Sequence, residues 1–241
     1  KVITNLSQIY EPIKEMMSYR FKTSSDLDGH VVGNLILTAM LDITGSLSAS
    51  IKHLSKLLDV KHTVLPISED SDLTLMARYK DGEVVEGEEQ ITQAHRQVER
   101  IYYKHEPKVT KEVLQAIKKA DLIIFSMGSL YTSILPNVIC KEVQEALDNT
   151  KAPIMYLCNI VTQPGETDNF TVGDRVKLLN SYLNKRHVDV VIANNKPIGE
   201  KMAKKYESEE QKDPVLIDKE ELDKIGVELI DDDLLIIAED N

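Results

Sequence analysis

Tryptophan is absent from the 241 residues, phenylalanine occurs three times and cysteine twice. Cys140 and Cys158 sit among apolar neighbours, with neither the spacing of a zinc site nor the density of a disulfide framework. They read as small core residues of a reducing compartment. No apolar run approaches the ~20 residues that span a bilayer, and no leader peptide is visible. The expected compartment is the cytoplasm. Positive charge is also short: 29 Lys and Arg face 40 Asp and Glu, for a formal charge of −11. That excludes a protein that tracks nucleic-acid backbone through a broad basic face. It leaves room for a local anion site, because helix N-termini and backbone amides bind phosphate whatever the net charge. Walker loops, nucleophile elbows, zinc spacings and a serine-triad order are all missing.

What is present is ordinary for a soluble globular protein, with 42% hydrophobic and 29% charged residues. The length suits one α/β domain, residues 1–241, with an insertion. The chain opens at Lys1 directly on a helical pattern, as a piece of a longer protein would. Val2, Ile3, Leu6, Ile9, Ile13 and Met16/Met17 carry helical spacing, and Pro12 restarts a second helix. Lys22–Asp26 is a polar loop. Asp28 is expected to cap a helix whose first turns hold Gly29, His30, Gly33 and Asn34. Ser46 caps the next helix. His62–Ile67 reads as a strand. An Asp81-Gly82 turn between alternating runs makes a hairpin, and Val98–Tyr103 adds a strand. This antiparallel block spans about residues 70–106.

From Thr110 onward helices and short apolar strands alternate. Strands Leu122–Phe125, Pro153–Cys158 and Val188–Ala193 end in polar tips at Ser126–Ser133, Asn159–Thr167 and Asn194-Asn195. Strands covered on both faces by helices form parallel sheets, and right-handed crossovers bring such tips to one edge. The expected fold is therefore a Rossmann-like three-layer parallel sheet with a small antiparallel insertion. Ile198–Tyr206, Lys219–Ile225 and the short runs near 215, 227 and 234 complete the pattern.

Ligands of open α/β sheets sit outside the carboxyl ends of the strands. Candidate ligand groups are accordingly Gly128, Ser129, Tyr131, Thr132 and Ser133 at the first tip. Asn159, Thr162, Gln163 and Glu166 lie at the second, and Asn194 at the third. Hydroxyls and N–H groups suit phosphate oxygens, and Asn and Gln amides pair with nucleobases or sugars. Glu166 could bind sugar hydroxyls or accept a proton. His30, Gly33 and Asn34 either face a ligand or mark a tight helix crossing with a structural histidine. Asp168 and Asp174 read either as magnesium ligands or as helix-start carboxylates. Asn159→Ala or Glu166→Ala is expected to weaken ligand binding and leave thermal stability nearly unchanged.

Three segments, Gly29-His-Val-Val-Gly-Asn-Leu35, Gly128-Ser-Leu-Tyr-Thr-Ser-Ile-Leu-Pro-Asn137 and Cys158-Asn-Ile-Val-Thr-Gln-Pro-Gly-Glu-Thr167, carry a family resemblance. The chain resembles the YvcK-like gluconeogenesis factors (UPF0052), in one superfamily with the CofD 2-phospho-L-lactate transferases. The resemblance implies a Rossmann-like cytoplasmic protein that binds a nucleotide sugar such as UDP-N-acetylglucosamine. NAD or NADP are implied as alternative occupants of the same cleft. It implies a regulatory role in cell shape and cell-wall precursor supply during gluconeogenic growth, through a protein partner, and a UDP-sugar contact from Tyr206. The family's N-terminal Gly-rich segments and C-terminal basic segment have no counterpart in this chain. Met127 stands where the family has Pro, and Val31-Val32 where Ser and an aromatic or aliphatic residue are usual. The alternative is a transferase that moves a phospholactate-type group from a nucleotide-activated donor, with Mg. No catalytic residue and no resident metal are assigned. A homodimer through the antiparallel insertion is compatible with the pattern, and neither nucleic acid nor membrane is an expected partner.

Overall fold

The structure, a computed structural model, describes residues 2–199 and 212–235. Nearly all of the expected helix Ile198–Tyr206, and the end of the run that starts at Leu234, lie outside the described residues. The chain divides into two compact units: Lys1–Ser71 with Lys108–Val113, and Asp72–Pro107 with Leu114–Asn241.

The first unit is helical. Helices α1 (Val2–Leu6), α2 (Glu11–Ser18), α3 (Val32–Thr44) and α4 (Leu47–Leu57) follow in order. Proline stands in the first turn of α2, where its missing N–H costs nothing. Met17, Leu54 and Leu58 form a buried cluster, packed by Ile3, Ile9, Ile36, Leu37 and Val60. Ser46 caps α4 as its sequence position suggests, accepting from the Ala49 N–H at 3.2 Å. Two expectations fail here. Asp28 does not cap α3; its carboxylate accepts from the Thr23 N–H at 3.0 Å, and the helix starts only at Val32. His30 therefore precedes the helix, and no helical i,i+4 pairing with Asn34 exists. His62–Ile67 forms no strand: it has the residues of one, but no neighbouring strand among the described residues pairs with it.

The second unit holds both sheets. Strands β1 (Leu75–Tyr79), β2 (Val84–Glu86) and β3 (Val98–Tyr103) form an antiparallel sheet in the order β2-β1-β3. Between β2 and β3 lies α5 (Glu88–Gln93), a helix that the sequence pattern does not announce. After α6 (Lys111–Lys119), strands β4 (Ile123–Phe125), β5 (Ile154–Leu157), β6 (Val190–Asn194) and β7 (Glu228–Asp232) form a parallel sheet in the order β4-β5-β6-β7. A π-helical turn, Leu130–Ile134, leads into α7 (Leu135–Val138) and α8 (Lys141–Asn149). Helix α9 (Val172–Tyr182) connects β5 to β6, and α10 (Lys219–Ile225) precedes β7.

The core of this unit lies on the two central strands, where Ile154, Tyr156, Val191 and Ala193 are fully or almost fully buried. Strand β4 is more open than its apolar sequence suggests, since it is an edge, and Ile124 keeps 49% exposure. Two hydroxyls bond to β3 from the helical segments: Tyr182 Oη accepts from the Ile101 N–H at 2.8 Å, and Tyr131 Oη donates to the Val98 carbonyl at 3.4 Å. Segment 212–218, expected as a strand at Val215–Ile217, joins no sheet; its strand-like pairing is a single isolated antiparallel bridge between Pro214 and Val161. Its neighbours are a loop and a helix start, which offer no continuous edge.

Candidate functional site

The parallel order of β4, β5 and β6 puts their carboxyl ends on one side of the sheet. One side-chain contact joins the first two tips: Ser129 Oγ donates to Glu166 Oε2 at 2.5 Å. Ser129 also caps the π-helical turn, accepting from the Thr132 N–H at 3.1 Å. Glu166 is 7% exposed, so it does not face water. Burial raises its pKa above the ordinary 4.5, against the lowering effect of the Ser129 bond and of Arg175. A carboxyl group so placed keeps its proton to a higher pH than an exposed one, and in that form it both donates to and accepts from hydroxyls.

The loop around Glu166 is tightly built. Gly165 has φ +77°, and a Cβ there would lie 2.2 Å from His95 Cα, so neither an alanine nor a larger residue fits. The Gln163 carbonyl accepts from the Glu166 and Thr167 N–H groups at 3.1 and 2.9 Å. Asp168 accepts from the Gly165 N–H at 2.8 Å, and Asp174 completes a capping box with Thr171. Both aspartates thus serve the loop and the helix start, the plainer of the two roles that their positions allowed. A strap from the C-terminal part crosses the loop: the Thr162 N–H donates to the Asp213 carbonyl at 2.7 Å, and Thr162 Oγ1 accepts from the Asp213 N–H at 2.9 Å.

Of the candidate residues, the second unit brings together Ser129, Gln163 and Glu166. Asn159 accepts from Tyr156 Oη at 3.4 Å and stays half-buried beside them in sequence. Gly128 packs against Ser133 of its own turn, a Cβ there meeting Ser133 Cβ at 3.2 Å, so its smallness serves the turn. Tyr131 turns inward toward β3, and burial raises its pKa. Thr132 is half-buried, and Ser133 lies in the same turn. Thr162 is spent on the strap. Asn194 is spent on the fold, donating to the Lys196 carbonyl of its own loop at 2.7 Å and accepting from the distant Leu234 N–H at 3.1 Å. In the first unit, His30 and Asn34 are exposed, and a Cβ on Gly33 would stand 2.8 Å from the Met17 carbonyl oxygen. Gly33 therefore marks a close helix crossing. Tyr206 lies outside the described residues.

The first unit also carries a cleft of about 1160 Å³ between α4 and residues 59–70 and 108–112. The helix N-terminus there is already occupied by the chain's own carboxylate. Glu69 accepts from the Leu47 and Ser48 N–H groups, each at 2.8 Å, and the bonds from Ser48, Leu47 and Ser46 hold its pKa low.

Two features escaped the sequence reading. Arg175 is fully buried beneath the 159–167 loop. It stands at the spacing of the apolar stripe Val172, Val176, Leu179, and a charge inside such a stripe was the available signal. Asp218 accepts from Thr171 Oγ1 at 2.7 Å and from the Gly173 N–H at 2.8 Å, clasping the start of α9 from far along the chain. Nothing local to Asp218 foretells that partner.

The family described as 2-phospho-L-lactate transferase CofD matches residues 1–235. The chain belongs to the CofD family. Its relatives within that family include the gluconeogenesis factor of Bacillus subtilis, 38% identical over 99% of this chain and 75% of the relative. The gluconeogenesis factor of Halalkalibacterium halodurans is 36% identical over 99% and 74%. That of Listeria innocua is 35% identical over 97% and 71%. A crystal structure of a Bacillus halodurans protein, described as a member of the upf0052 family, superposes with a TM-score of 0.91 at 35% identity, covering 98% of this chain and 75% of that one. The CofD-family fold of this chain is thus a mixed α/β arrangement, with a four-stranded parallel sheet and a small antiparallel one. Among the described residues no helix is long and apolar enough to cross a membrane.

Proposed function

We propose that this chain is a gluconeogenesis factor that acts in the cytoplasm by binding a nucleotide sugar of the UDP-N-acetylglucosamine type. It reports precursor level to a protein partner and so supports cell shape and wall-precursor supply during gluconeogenic growth. One observation carries the reading: the Ser129–Glu166 pair, a hydroxyl and a buried carboxyl group linking two strand ends on the ligand side of a parallel sheet. Such a pair suits sugar hydroxyls, which both donate and accept. The half-buried amides of Asn159 and Gln163 suit the mixed edge of a uracil. The relatives' names supply the physiological setting.

The family's description favours a second reading, a transferase moving a phospholactate-type group from a nucleotide-activated donor. Calorimetric titration separates the two. Saturable binding of UDP-N-acetylglucosamine, lost by about tenfold or more in Glu166→Ala and without turnover on adding magnesium, supports the regulator. Binding of GDP with formation of a phosphodiester product in the presence of a flavin-like acceptor supports the transferase. Because Glu166 is buried, its removal also leaves a void, so unchanged stability is expected of Asn159→Ala and not of Glu166→Ala.

A further inference from the structure

Among the described residues, five buried side-chain polar atoms have no hydrogen-bond partner, and three of them belong to two neighbours, Gln163 Oε1 and Arg175 Nε and Nη1. The two residues meet at one atom. Thr167 Oγ1 accepts from the Gln163 N–H at 3.0 Å and from Arg175 Nη2 at 3.0 Å. Nη2 also approaches the Val161 carbonyl at 3.5 Å. The remaining N–H groups, one on Nε and two on Nη1, are unused. Arginine does not lose its charge in a protein interior, and a buried cation without a counter-ion is far costlier than a neutral orphan.

The chain's own carboxylates near this point are committed elsewhere. Glu166 is held by Ser129 and pushed toward its neutral form by burial. Asp174 is held by Thr171, and Asp218 by Thr171 and Gly173. The guanidinium is thus buried behind the ligand loop, beside the Tyr156 hydroxyl and within reach of the Glu166 charge, and no protein group accepts from its Nε and Nη1. Unmet buried donors of this kind mark the place of an absent partner.

We propose that Arg175 is an anion receptor, and that its Nε and Nη1 groups take an oxyanion of the ligand, a phosphoryl or carboxylate oxygen, when the 159–167 loop opens. Gln163 Oε1 accepts from a hydroxyl of the same ligand. This rests on the nucleotide-sugar reading for the ligand's identity, with the diphosphate as the oxyanion, but not for the receptor itself. Guanidinium planarity suits phosphoryl oxygens, and a desolvated site strengthens the contact. The loop is the cover that has to move. It is tied to the rest of the site by the Ser129–Glu166 bond, by the Thr162–Asp213 pair, by the Val215 N–H donating to the Ile160 carbonyl at 2.9 Å, by Tyr156 Oη donating to Asn159, and by Arg175 itself through Thr167. A ligand that engages Ser129 competes directly for the first.

The test uses the whole chain. The Nε–H resonance of Arg175, assigned by its loss in Arg175→Lys, is followed while inorganic pyrophosphate, UDP-N-acetylglucosamine or uridine is added. The expected result is a saturable shift with pyrophosphate and with the UDP sugar, and none with uridine. Arg175→Met should then weaken both oxyanion ligands by about tenfold or more and leave uridine unchanged. If pyrophosphate moves the resonance and the UDP sugar does not bind, the receptor stands and the nucleotide-sugar reading falls. If the UDP sugar binds without moving it, the reading stands and the receptor falls. No response to either oxyanion overturns the receptor and leaves a buried water as the partner. Should Arg175→Met fail to fold, the titration of the unaltered protein still decides the matter.

Discussion

Glu166 enters the interior with one strong partner, and its behaviour with pH follows from that. Burial raises its folded pKa above the ordinary 4.5, so the folded chain keeps a proton that the unfolded chain has released. The stability that this proton contributes is complete below about pH 4.5 and is lost as pH rises through the folded value. A glutamine side chain in the same place would resemble the protonated acid at every pH and could still accept from Ser129. We predict that Glu166→Gln flattens the fall in stability between mildly acid and neutral pH. Urea unfolding at a series of pH values measures it, and parallel curves for the two proteins would defeat the assignment. The same residue shows how far single positions can be read from sequence. Glu166 stood out as a lone carboxylate in a neutral loop. Its burial did not, because the cover comes from residues 95 and 129, far away in the chain.

Among the elements, helix α9 is the part on which the site is built. Its capping box, Thr171 with Asp174, is local and legible in sequence. Its second anchor, Asp218, is neither. Removing that carboxylate leaves the Gly173 N–H without its acceptor and Thr171 Oγ1 with Asp174 alone, and it takes a negative charge from the positive end of the helix. Asp218→Ala is expected to destabilise the fold by about 1–2 kcal/mol, and Asp218→Asn by less. Thermal or denaturant unfolding would show it, and equal losses in the two variants would refute the charge contribution. Strand pairing divides the same way. The Asp81-Gly82 hairpin forms as expected, since its turn and both strands are close neighbours in the chain. His62–Ile67 has the residues of a strand and no described partner, so apolar alternation alone did not make it one.

Over the whole molecule, the net charge of −11 works against any broad contact with nucleic acid, and the proposed anion recognition is local and buried. The protein is expected not to retard duplex DNA in a gel at low salt, about 50 mM, where nonspecific binding is strongest. Retardation there would mean a basic surface that composition does not suggest. Burial also governs the two thiols. It pushes the pKa of Cys140 up to about 12 and that of Cys158 up to about 11, as befits inert core residues.

Local sequence was enough for the alternation of helices and short strands, the antiparallel insertion, and the loops that end the parallel strands. Periodicity, caps and turn residues act over a few positions, and these features need nothing longer. Membership of the CofD family was carried by three local motifs, and it holds across residues 1–235. Which polar groups of those loops are free was settled in three dimensions. Thr162 and Asn194 looked available and are bonded to residues 213 and 234, while Arg175, which the loop motifs did not single out, is fully enclosed. Hydrogen bonds and burial depend on what the fold brings from a distance, and that information is absent from any short stretch of the chain.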